Sequence, residues 1–105
     1  VLKAARDALR EHSDESRAQT LRRFFKTGPG EYGEGDRFMG VRVPAIRRVA
    51  GKFRDMPLAG TLTLLQSEIH EERFLALAIL RDKYRRGTPG EQGKLYGIYL
   101  NNTRV

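Results

Sequence analysis

The sequence predicts an all-α chain, and three observations carry that prediction. Apolar residues recur at three- and four-residue spacing along most of the chain, and no stretch alternates convincingly at period two. Helix-starting residues stand ahead of the periodic stretches, at Ser13-Asp14, Pro44 and Thr88-Pro89. Proline and glycine punctuate the gaps between them, at Gly28-Pro29 and Pro57.

Taken in order, Leu2, Ala5 and Leu9 mark one face of a first short helix. Ser13 and Asp14 offer N-capping oxygens to a second, whose apolar positions are Ala18, Leu21, Phe24 and Phe25 and which Gly28 and Pro29 end. A connection containing Gly28, Gly30, Gly33, Gly35 and Gly40 follows. Its glycines invite a phosphate-cradle reading. However, Glu31, Glu34 and Asp36 would repel phosphate, and no Gly-Lys-Ser/Thr opens the next helix, so a plain interhelical connection is expected.

Pro44 fits the first turn of a third helix, where its missing N–H is not needed. Ile46, Val49, Ala50 and Phe53 then form one apolar stripe, with Arg47, Arg48, Lys52 and Arg54 off it. Leu58, Leu62 and Leu65 are expected to form the buried side of a fourth helix. A fifth is expected from about His70 to about Arg86, with Phe74 to Leu80 apolar nearly all round, so it must be covered on several sides. Thr88, Pro89 and Glu91 spell a capping box for a sixth, which presents Leu95, Ile98, Tyr99 and Asn102 at helical spacing. Six helices with short turns make a run of antiparallel hairpins. A closed bundle and an open solenoid both satisfy that pattern, since no residue-level repeat is visible. The very apolar fifth helix favours stacked layers.

Composition narrows the function classes. At 105 residues the chain is one domain at most, and its 39% hydrophobic content suffices for a core. It has no cysteine and two histidines, His12 and His70, which excludes disulfides and thiolate-bound metal and makes any metal site improbable. Twenty Lys and Arg against thirteen Asp and Glu give a formal +7, a balance that suits a polyanionic partner or solubility alone. No apolar run approaches the ~20 residues that span a bilayer, and no secretory pattern opens the chain, so a cytoplasmic location is expected. The start at Val1 instead of Met suggests a processed or trimmed chain.

Catalytic candidates are few. His70 sits among Glu68, Glu71 and Glu72, but without a third orienting group it reads as a capping or surface residue. Glu71 and Glu72 favour a helix N-terminus electrostatically. Tyr32, Tyr96 and Tyr99 could stack on bases, although Tyr99 falls on a buried stripe, and Met39 and Met56 read as packing residues.

Three blocks, in order and spacing, carry a resemblance. The first runs Phe38-Met39-Gly40-Val41-Arg42-Val43-Pro44-Ala45-Ile46-Arg47-Arg48, an aromatic, a glycine turn and a proline-opened helix with an arginine pair. The second is the acidic start at Ser67 with its apolar helix through Tyr84, and the third is Ile98-Tyr99-Leu100-Asn101-Asn102. Together they resemble the DNA alkylation repair family, the AlkD-like alkylpurine DNA glycosylases built from HEAT-like repeats. The resemblance implies a truncated HEAT-like α-solenoid, with residues 1–105 as the N-terminal part of one domain whose C-terminal half is absent.

It also implies a function for the parent protein: removal of N3- or N7-alkylated purines from double-stranded DNA, with no cofactor and no membrane. The family's tryptophan and catalytic aspartate are expected just beyond Val105, so no catalytic residue carries over. This chain is expected to contribute backbone binding. Alternatively, it is a non-catalytic helical-repeat module for nucleic acid or protein. The phosphate-binding candidates are Arg42, Arg47 and Arg48, which on charge pattern alone could equally be the solvated face of an amphipathic helix. Val43 stands where the family often has a hydroxyl residue, which removes one possible backbone-phosphate donor. A cut solenoid exposes the apolar side of its last repeat, so Leu95, Ile98 and Tyr99 are expected to line partly a surface open to self-association.

Overall fold

The structure, a computed structural model, describes residues 1–24 and 37–102. Six helices account for most of them: α1 (Leu2–Arg10), α2 (Glu15–Phe24), α3 (Val43–Lys52), α4 (Leu58–Leu65), α5 (His70–Arg86) and α6 (Pro89–Asn102). Phe25, Pro29, Tyr32 and the four glycines from Gly28 to Gly35 lie outside the described residues, so the expectations placed on them have no structural counterpart here.

The starts follow the local chemistry. The Asp14 side chain accepts a hydrogen bond from the Arg17 N–H at 3.2 Å, which satisfies one orphan donor of α2. Pro44 lies in the first turn of α3. At α6 the capping box closes both ways: the Thr88 N–H donates to Glu91 Oε1 at 3.0 Å, and the Glu91 N–H donates to Thr88 Oγ1 at 3.3 Å.

α5 is the hub. It packs on α3, α4, α6 and α1, which is how a helix apolar on nearly every side is covered. Leu75, Ala76, Ile79 and Leu80 of α5 meet Ala5 and Leu9 of α1, Ala45, Ile46, Val49 and Ala50 of α3, and Leu64 and Leu65 of α4 in one core. The result is an all-α, repeat-like packing consistent with a HEAT-like solenoid, in which α4 and α6 pack on α5 as its chain neighbours and α3 and α1 lie against it from further back in the chain.

Two helices depart from expectation. In α4 the fully buried stripe is Thr61, Leu64 and Leu65, with Leu58 and Leu62 only half-buried. A helix this rich in leucine gives the sequence no contrast from which to choose a face. The choice falls to packing, and Thr61 can be buried because its hydroxyl donates to the Pro57 carbonyl at 3.2 Å. In α2 only Ala18 is buried, and Phe24, expected in the core, is 76% exposed. At the N-terminal end of α2, the Asp14 N–H donates to the Met39 carbonyl at 2.8 Å.

Among the described residues, the extended backbone pairing is one isolated parallel bridge, Arg37 to Ile69. The Arg37 N–H donates to the Glu68 carbonyl at 3.0 Å, and the His70 N–H donates to the Arg37 carbonyl at 2.8 Å. Residues 37–41 thus form a strap from the start of α5 to the start of α3, and also touch the start of α2.

Candidate nucleic-acid interface

α3 and α5 lie side by side, and their outward faces enclose a groove of about 410 Å³. The floor is apolar: Ala50 and Gly51 from α3, and Phe74, Leu77 and Ala78 from α5. The rim is cationic. Arg47 stands on the α3 side, and Arg81 and Arg85 stand on the α5 side, one helical turn or about 6 Å apart along the axis. All three are exposed. The acidic side chain in the wall, Asp82, is drawn to Arg86 on its own helix; the 2.9 Å approach is a charge pair whose angle falls short of a hydrogen bond.

Of the sequence candidates, Arg47 lines this groove. Arg42 and Arg48 are exposed but do not line it: Arg42 is the N-cap residue of α3, and Arg48 is one residue, about 100° of helix rotation, past Arg47. Arg81 and Arg85 escaped the sequence reading. Their signal was the i, i+4, i+8 row Leu77, Arg81, Arg85 on one face of α5, hidden because Arg85 belongs to a basic last turn that the helix dipole already explains and Arg81 alone reads as a solvated charge.

The acidic start of α5 turns out to be structural in a stronger sense than end-charge. Glu71 is 1% exposed and Glu72 is 2% exposed. Glu71 accepts backbone hydrogen bonds from Met39 and Gly40 at 2.9 Å each and from Val41 at 3.3 Å. Glu72 accepts one from Arg6 Nε at 3.2 Å. Both carboxylates are therefore spent on the fold; neither lines the α3–α5 groove, and Glu72 instead borders a separate recess with Arg6, Arg10 and Arg37. His70 is half-buried with its ring 5.0 Å from that of Phe38, so it packs on the strap. Among the described residues, no group of three or more His, Cys, Asp or Glu could hold a metal ion, and no helix is long and apolar enough to cross a membrane.

An all-α repeat array with an arginine-rimmed groove along its paired helices defines a class: a helical-repeat scaffold with a cationic face. Its family is narrower. The family model described as DNA alkylation repair enzyme matches residues 5–104, nearly the whole chain, and the chain belongs to that family. No curated protein and no solved structure gives a significant match.

Proposed function

We propose that this chain supplies DNA backbone binding to a repair glycosylase that removes N3- or N7-alkylated purines from double-stranded DNA. The carrying observation is the α3–α5 groove, where three exposed arginines face one carboxylate on two helices of a DNA alkylation repair family member. Guanidinium groups suit phosphate because their planar fork can donate two parallel hydrogen bonds. Their spacing along the groove lets a strand run past Arg85, Arg81 and Arg47, with Arg42 and Arg48 reaching phosphates beside it. These contacts carry affinity and register but no sequence preference, as a lesion-seeking protein requires.

An alkylated purine is cationic and leaves readily, so the remaining catalytic need is a carboxylate to stabilise positive charge on the sugar. Glu71 and Glu72 are committed to the fold and Asp82 in the groove wall is paired with Arg86, and we assign base release to a group outside the described residues. Under this reading, the chain binds a short duplex at low salt and releases no alkylated base from it. Negligible duplex affinity at low salt rejects the reading and favours a helical-repeat module for a protein partner. The open side of α6, where Tyr96 is 59% and Leu100 56% exposed beside half-buried Leu95, Ile98 and Tyr99, supports self-association, which sedimentation at rising concentration tests.

A further inference from the structure

Three successive backbone N–H groups, those of Met39, Gly40 and Val41, converge on the carboxylate of Glu71. A row of amides turned the same way is a nest, a concavity that binds anions. Here the fold fills it with its own anion. Gly40 makes the turn possible: its φ is +79°, and a Cβ there would overlap the Asp14 carbonyl oxygen and stand 2.9 Å from the Ala18 nitrogen. The residue after this nest is Arg42, the N-cap of α3. Glu71 therefore reaches from the first turn of α5 to the entry of α3, and the same residues close off the backbone route by which a phosphate could reach this turn.

We propose that Glu71 is an internal anion and a positioning residue. Its negative charge, more than its bulk, holds the 38–41 turn closed and so sets where Arg42 stands for a phosphate. The nest is a latent site for a small carboxylate, which it accepts once the Glu71 side chain is cut back. The second acceptor oxygen is the crux. A glutamine of the same shape offers one oxygen, which suits the Gly40 and Val41 N–H groups, and one NH2, which would face the Met39 N–H with no lone pair to offer it. The part of the proposal that concerns phosphate rests on the function proposed above; the nest does not.

The test uses the whole chain. In Glu71→Ala, acetate titrated at constant ionic strength is expected to give saturable amide shifts at Met39, Gly40 and Val41, and a rise in Tm that the wild type lacks. Absence of a saturable shift in the folded variant overturns the latent site. Should that variant not fold, Glu71→Gln keeps the volume. Its Met39 amide, left without an acceptor when the glutamine oxygen stays with Gly40 and Val41, is expected to exchange faster while those of the α5 core stay protected, and unchanged exchange overturns the proposal. On duplex DNA, Glu71→Gln is expected to weaken binding about threefold to tenfold, the size of one loosened phosphate contact. That loss vanishes in an Arg42→Ala background if Glu71 acts through Arg42, whereas equal losses in both backgrounds overturn the positioning role. A wild-type chain that ignores DNA rejects the proposed function and leaves the amide measurements to decide on the nest.

Discussion

Arg6 Nε lies 3.2 Å from Glu72 Oε1, and this contact ties α1 to the start of α5 across 66 residues of sequence. The carboxylate side is almost wholly buried, while the Arg6 side chain keeps 34% of its surface in water. Losing Arg6 would strand a buried charge, a costlier event than losing a surface pair. Arg6→Ala is expected to lower unfolding stability by about 2–3 kcal/mol, below the cost for a fully enclosed pair because water reaches this one. Urea unfolding checks it; a change under about 0.5 kcal/mol, typical of surface pairs, contradicts it.

Gly40 and Gly93 separate two roles for glycine. Gly40→Ala forces a side chain into the left-handed region against the Asp14 carbonyl, and is expected to cost at least about 2 kcal/mol. Gly93 lies inside α6 with no atom within 4 Å of where its Cβ would stand, so Gly93→Ala is expected to gain about 0.5–1 kcal/mol. Thermal unfolding of both variants should show opposite signs.

The register of α4 can be checked by truncation. Leu64 is fully buried and Leu62 only half so. Leu64→Ala is expected to cost about 2–5 kcal/mol and Leu62→Ala clearly less, as measured by denaturant midpoints at constant slope. The reverse order would restore the face that the leucine spacing first suggested.

The α6 capping box carries a pH signature. The backbone and side-chain hydrogen bonds from Thr88 hold the Glu91 carboxyl below the usual glutamate range. A folded-state pKa below the unfolded one means that the cap's contribution is complete above the unfolded value. It is lost as pH falls through the lowered folded value. Acidification below the ordinary glutamate range should therefore loosen the first turn of α6, seen as faster exchange of its amides. Glu91→Gln removes that pH step; a step that survives the substitution assigns it to another group.

Helix identity was legible because local chemistry decides it. Caps at Asp14, Pro44 and Thr88 and the apolar run of α5 are visible without neighbours, and the structure places α5 at His70–Arg86 as the spacing indicated. What was not legible depends on partners distant in sequence. The face chosen by α4, the exposure of Phe24 and the burial of Glu71 and Glu72 follow from which elements meet. A pair of glutamates at a helix start looks the same whether it greets water or a nest 30 residues upstream. The groove was half legible: Arg47 stood out beside Pro44, whereas Arg81 and Arg85 acquire meaning only once α3 lies next to α5.

The proposal that the α3–α5 groove meets DNA through its arginines is tested most directly by the salt dependence of duplex affinity. Replacing Arg47, Arg81 and Arg85 together by Ala is expected to flatten the slope of log K against log salt by about 2.7, the value for three phosphate contacts, with the fold intact by circular dichroism. A triple variant that keeps the wild-type slope would contradict the account.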